Sequence, residues 1–259
     1  MFTVIVPTHD RPVLLARTLR SLAAQTYPHF QVIVVDDSAK YIPPYQELAA
    51  LQGRYTYVIR SGDSGPAHSR NKAMALADSP YVMFLDDDDT LAPDHLQAMA
   101  NRIQGSNPAL LFCDFMVHNE DRTQSPPQHL FSSVVSIADV DKDSVFVRNR
   151  IPNSCLMYRR DVLAGITYDT DMLIYEDWDF LLACLRQHDL QHVPIHSVNI
   201  HKSQATAPEN MRRGNTRDDK IGEVMLLLYK RHPAPDAQTR QARQDLMASA
   251  GIAVPLENC

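Results

Sequence analysis

Within the first 87 residues, four short apolar runs, FTVIVPT (2–8), FQVIVVDD (30–37), YTYVIR (55–60) and YVMFLDD (81–87), each give way to a polar or acidic residue. They are rich in β-branched and aromatic side chains and bounded by polar turns, so they read as buried strands. Between the first two, RPVLLARTLRSLAAQT sets Leu15, Leu19 and Leu22 at helical spacing. Pro12 suits a first helical turn there, and Asp10 or Thr8 can cap it. GPAHSRNKAMALADS (65–79) predicts a second helix between strands three and four. Strands alternating with helices imply right-handed crossovers and a mainly parallel sheet, hence an α/β fold with ligands beyond the strands' C-terminal ends. Thr8, Asp37 and Asp86 to Asp89 all fall on that rim.

The alternation is lost afterwards. ALLFCDFMVHN (109–119) predicts a strand, RTQSPPQHLFSS (122–133) a loop because of its prolines and polar residues, and SCLMYRRDVL (154–163) a strand followed by a helical start. EDWDFLLACLRQH (176–188) predicts an amphipathic helix. From Thr216 onward two helices are expected on either side of PAP at 233–235. No repeat or clear linker divides the 259 residues, which suit one large domain, 1–202, with a loop and helical extension, 203–259, packed on it.

Net charge of −6 offers no general attraction to nucleic acid or to an anionic membrane, so a phosphate ligand needs local help. The widely spaced Cys113, Cys155, Cys184 and Cys259 favour reduced thiols in a cytoplasmic protein over a disulfide or zinc framework. His188, His192, His196 and His201 do not align on one helix, because Pro194 interrupts them. The N-terminus carries no secretory signal pattern, and no stretch approaches the roughly 20 apolar residues of a membrane span. MLLLY (225–229) is read as packing on the core; peripheral membrane attachment through the C-terminal helices stays open.

Four carboxylates in succession, Asp86 to Asp89, repel one another and need a compensating cation. A divalent ion is the simplest one. Carboxylate oxygens suit Mg²⁺ or Mn²⁺, which commonly use one or two protein carboxylates plus substrate phosphates. The alternative is that the aspartates serve only a turn and the start of the helix after TLAPDHL.

In order along the chain, VIVPTHDR, LRSLAAQTYPHFQVIVVDDS, SGPAHSRNKAMALADSPYVMFLDDDD, IPNSCLMYRRDVL and YEDWDFLLACL resemble the family 2 inverting glycosyltransferases with the GT-A nucleotide-sugar-binding fold, over roughly residues 2–202. The resemblance implies that Asp88 coordinates the metal, while Asp86 and Asp87 orient the ribose and the site's basic groups. It implies that Asp37 accepts a hydrogen bond from the base, that Thr8, Asp10 and Arg11 surround base and ribose, and that Arg70 faces the aspartates or phosphates. It also implies that Asp177, paired with Glu176, is the catalytic base, that Trp178 helps form the acceptor wall, and that His201 is a further metal ligand or diphosphate contact. Arg212 and Arg213 are candidates to neutralise the leaving diphosphate, with a solvated loop as the equal alternative.

The expected partners are a nucleotide-sugar donor, uridine-linked by family resemblance, and a glycan or lipid-linked glycan acceptor at the inner membrane face. The QxxRW element of processive synthases is absent, which favours addition of single sugars. A sugar nucleotidyltransferase would place a glycine-rich basic loop after strand one, where this chain has PTHDRP. A non-catalytic nucleotide-sugar binder is the remaining alternative.

Overall fold

The computed structural model describes residues 1–204 and 218–259, and Arg212 and Arg213 lie outside them. The strands β1 (Phe2–Thr8), β2 (Phe30–Asp36), β3 (Tyr55–Ile59) and β4 (Tyr81–Phe84) form the parallel half of the sheet in the order β3-β2-β1-β4. Register aligns Thr8 with Asp36 and Phe2 with Tyr81, so the acidic ends of β2 and β4 sit on one rim. Every β1 residue is buried, as a run with no polar alternation requires of a strand covered on both faces.

Helix α1 (Pro12–Ala23) buries Leu15, Thr18, Leu19 and Leu22, one stripe at helical spacing. Its N-cap is Arg11, and no side chain caps it, so neither Asp10 nor Thr8 takes the expected capping role. α2 (Tyr45–Ala50) and α3 (Pro66–Met74) complete the crossovers.

Beyond β4 the sheet turns mixed. It continues through β8 (Leu156–Arg159), β6 (Leu110–Asp121), β9 (Leu190–Ser203) and the two-residue β5 (Thr90–Leu91). β8 is antiparallel to β4 and β6, whereas β9 is parallel to β6. α4 (His95–Ser106) follows β5. The expected loop at 122–133 is in part a strand, β7 (Gln128–Val135), which pairs with β6 alone. Residues 128–134 are all exposed, so no buried face wrote a period into the sequence, and Pro126 and Pro127 stop just short of it.

Helix α6 (Glu176–Leu185) buries seven of its ten residues rather than one stripe, because the sheet covers one side, with Phe84 against Phe180, and residues 145 and 229–232 cover the other. The C-terminal helices are α7 (Asp218–Arg231) and α8 (Ala237–Ser249), flanking the PAP segment as expected. Within MLLLY, Met225, Leu228 and Tyr229 are buried in the core and Leu227 is exposed.

The last turn of α5 (Lys142–Val147) knits this region together. Its final carbonyls lack helical partners. Trp178 Nε1 donates to Val145 (2.9 Å), Arg243 Nε to Phe146 (2.8 Å) and the Tyr229 hydroxyl to Val147 (2.8 Å). Trp178 therefore points into the core and not toward an acceptor wall. All four cysteines are free and buried. No helix among the described residues is long and apolar enough to cross a membrane.

Candidate active site

The four aspartates form a tight turn at the end of β4, closed by the Asp89 N–H on the Asp86 carbonyl at 3.0 Å. α1 holds its backbone. The Thr18 hydroxyl lies 2.8 Å from the Asp87 carbonyl and 2.7 Å from that of Asp89, and Arg17 Nη2 donates to Asp88 O at 2.9 Å.

With the backbone held, the carboxylates fan out. Asp86 meets Arg70 at 2.9 Å. Asp87 accepts from the Thr8 hydroxyl at 2.7 Å and from Arg11 at 3.3 Å. Asp88 pairs with Arg122 at 2.9 Å and lies 3.8 Å from Arg11. Asp89 accepts from the Ser154 hydroxyl at 2.7 Å and from the His201 N–H at 3.1 Å. The compensation expected from a divalent ion is thus supplied in part by the protein's own guanidinium groups. Burial and the neighbouring Asp88 still push Asp87 up to about 7, against Arg11 and Thr8.

Asp86, Asp88 and Asp89 bring carboxylate oxygens within 4.8 Å of one another, the only such group of three among the described residues. Hard oxygen donors of this kind fit Mg²⁺ or Mn²⁺. Asp89 is spent on Ser154 and the β9 backbone, which leaves Asp88 and Asp86 as the pair facing the cleft.

The cleft, about 530 Å³, is lined by Thr8, Arg11, Asp37, Arg70, Asp86, Asp87 and Asp88 on one side and by the 170–177 segment, including Glu176 and Asp177, on the other. Nine of the sequence-predicted site residues meet there. Asp10 is exposed and offers its N–H to the Ser38 hydroxyl outside that lining. His201 lies behind the aspartates, with Nδ1 3.3 Å from Glu120 and Nε2 3.0 Å from Thr90. Both ring nitrogens are engaged away from the cleft, so this arrangement presents no His201 ligand to a cation there.

Asp37 is buried just past the end of β2 and is held by three partners, two on Oδ2 and one on Oδ1. It lies 2.8 Å from His9 Nδ1 and accepts from Arg60 at 2.9 Å and the Gly65 N–H at 2.7 Å. Burial opposes its charge, but Gly65, His9 and Arg60 together hold the carboxyl below its ordinary value. Gly65 has φ 155° and ψ 146°, a region essentially reserved for glycine, and this aims its N–H at Asp37 just before α3.

Arg70 spans both walls, donating to Asp86 and to Glu176, each at 2.9 Å. Its burial disfavours the charge; Asp86, Tyr168, Glu176 and Asp177 outweigh that and keep it cationic. Asp177 accepts the Trp178 N–H at 2.8 Å and forms no ion pair within 4 Å among the described residues. Burial first, then the Glu176 charge, push it up to about 6. A carboxylate held near that value can accept a proton close to neutral pH.

Sequence reasoning missed the layer beneath the aspartates. Glu120 bonds Arg17 at 2.7 Å and Arg122 at 2.8 Å, and Arg122 also donates to the His201 carbonyl at 2.8 Å. Burial opposes the Glu120 charge, but His201, Arg17 and Arg122 hold its carboxyl well below the ordinary range. The only available signal was the charge itself: a buried acidic turn demands cations, and arginines at strand ends are candidates.

A GT-A glycosyltransferase fold is what this sheet, rim and acidic turn define. The structure superimposes on Staphylococcus aureus TarS 1-349 in complex with UDP-GlcNAc, with TM-score 0.67 and 19% identity, covering 95% of this chain and 71% of that one. The glycosyl transferase family 2 profile matches residues 3–167, and the chain belongs to that family. Among relatives, the uncharacterized glycosyltransferase YwdF of Bacillus subtilis is 27% identical over 76% of this chain and 72% of its own. The succinoglycan biosynthesis protein ExoW of Rhizobium meliloti is 44% identical over a shorter stretch, 36% of this chain and 31% of its own.

Proposed function

We propose that the chain is a metal-dependent, inverting glycosyltransferase that moves one sugar from a nucleoside diphosphate donor, UDP-linked in the first instance, to a hydroxyl of a glycan or lipid-linked glycan in surface polysaccharide biosynthesis. The observation that carries this reading is the cleft in which Asp37, Asp86 and Asp88 face Asp177. The UDP-GlcNAc of TarS and the succinoglycan role of ExoW support the donor and pathway classes.

In this reading Asp37 receives the base, and Thr8 and Arg11 line the ribose side. Asp177 takes the proton of the acceptor hydroxyl while that oxygen bonds to the anomeric carbon and the bond to the diphosphate breaks. Negative charge then builds on the departing diphosphate, toward which Arg11 and Arg70 present positive charge across the cleft. A Mg²⁺ or Mn²⁺ held by Asp88 and Asp86 would supply Lewis-acid stabilisation of that charge. Glu176 fixes Arg70, and so couples the donor wall to the catalytic helix. The acceptor is expected at the cytoplasmic membrane face.

The test is a thermal-shift titration with UDP, GDP, CDP and ADP, each with Mn²⁺ and with EDTA, followed by UDP release from a UDP-sugar panel. At about 100 times Kd, binding contributes about 2.7 kcal/mol, enough for a shift of a few degrees. A metal-dependent shift with UDP followed by turnover supports the reading. Binding without turnover across donors and acceptors favours a non-catalytic binder, and no shift with any nucleotide removes the aspartate assignment.

A further inference from the structure

We propose that the C-terminal end of α7 is a positioning device for Asp177: Arg231 and His232 clamp Asp179 and Asp169 and thereby fix the first turn of α6 and the cleft loop at 169–175. The inference rests on the reading of Asp177 as the base.

The geometry starts from the helix. At 100° per residue, Asp177 and Asp179 lie 200° apart around α6, so when one faces the cleft the other faces away. Asp179 is buried and faces α7. Its Oδ1 lies 2.8 Å from His232 Nε2 and its Oδ2 accepts from Arg231 Nη1 at 3.0 Å. A carboxylate only accepts, so the His232 proton sits on Nε2, and its buried Nδ1 has no partner among the described residues. That imidazole is committed to Asp179.

The same Arg231 nitrogen reaches Asp169 Oδ2 at 2.8 Å and lies 3.8 Å from the Met172 sulfur. Asp169 and Met172 belong to the loop that leads into α6 through Tyr175, a bulky residue at φ 62°. That conformation persists only where its surroundings impose it. One guanidinium therefore ties the catalytic helix to the loop that shares its wall of the cleft. Ile221, earlier on α7, lines that wall directly. Helix α7 thus reaches the chemistry from two directions.

The test compares Arg231→Ala, Arg231→Lys and His232→Gln with wild type and with Asp177→Asn, using the full chain. The first readout is hydrogen exchange of the α6 first turn and of residues 169–175. Arg231→Ala should raise exchange there by about tenfold, with the parallel strands unchanged. The second is UDP release from the UDP-sugar that wild type turns over. Arg231→Ala should lower kcat about tenfold, leave donor KM within twofold and shift the acid limb of the pH profile; Arg231→Lys should restore part of the rate, and His232→Gln, which keeps an N–H donor for Asp179, should lose less than Arg231→Ala.

Unchanged exchange and unchanged kcat overturn the clamp. So does a loss in which kcat and the UDP-induced thermal shift fall together, since that reports unfolding alone. An Asp177→Asn variant that releases UDP as wild type does would instead overturn the base assignment, a result separable from the behaviour of Arg231.

Discussion

Two acidic runs, DDDD at 86–89 and EDWD at 176–179, meet across one cleft and handle charge in opposite ways. In the turn, three of the four carboxylates meet a guanidinium and the fourth a hydroxyl and a backbone N–H. In the helix, the rotation per residue distributes the side chains: Glu176 to Arg70, Trp178 to the core, Asp179 to α7, and Asp177 to the cleft with only a backbone N–H. The turn gives each carboxylate a charged or hydroxyl partner, although burial and Asp88 still push Asp87 up to about 7, whereas the helix keeps one raised carboxylate that no ion pair among the described residues relieves. In the proposed reading, that difference in partners separates a donor-binding group from a proton acceptor.

The largest expected effect comes from removing the unrelieved one. Asp177→Asn should lower kcat by about 10² to 10⁴-fold, with metal-dependent UDP binding retained in thermal shift. Equal loss of binding would erase the distinction between the runs. Next is Arg122→Ala, which removes the 2.9 Å partner of Asp88 and one of the two guanidinium partners of Glu120 and should cost about 3–5 kcal/mol of stability, read as a lower urea midpoint. A drop below about 1 kcal/mol would mean that the turn does not depend on its protein cations.

pH sharpens the same contrast. Asp177 acts only when ionised, so kcat should rise with pH and level off above about 6, about two units above an ordinary aspartate limb. For stability the sign reverses. A carboxyl raised in the fold favours its protonated form, so its contribution is present below the unfolded value near 3.8 and is lost as pH rises through about 6. Asp177→Asn should therefore stabilise the protein at pH 8, by on the order of 1 kcal/mol given its partial exposure, and change little at pH 4. The smallest effect is expected at Asp10, exposed and outside the cleft. Asp10→Ala should stay within about 0.5 kcal/mol in stability and leave the UDP shift unchanged.

The parallel half was readable because buried strands and one-sided helices write periods of their own, and because β2 and β4 end in acids on a shared rim. The helix α6 was readable as a helix but not as a buried one, since its second cover comes from the end of α5 and the end of α7, remote in sequence. β7 was invisible for the converse reason: exposed on both faces, it takes its register from pairing with β6. Within the site, Asp37, Arg70, Asp86 to Asp88, Glu176 and Asp177 were each local to a motif. Arg17, Glu120 and Arg122 were not, because a buried counterion answers to distance in space and leaves no local pattern. The expectation of a loop at 122–133 obscured Arg122 further, since a loop arginine reads as solvated.

Thr18 and Arg17 grip the acidic turn by its carbonyls, and this separates two kinds of information that most sites mix. The path of the backbone is encoded on α1, some seventy residues away, while the chemistry is encoded in the turn. A change at Asp86 or Asp88 should alter what the rim binds without redirecting the chain, whereas Thr18→Val would move every carboxylate at once while leaving each in the sequence. For a scaffold reused with different donors, such a division lets ligand preference drift one side chain at a time.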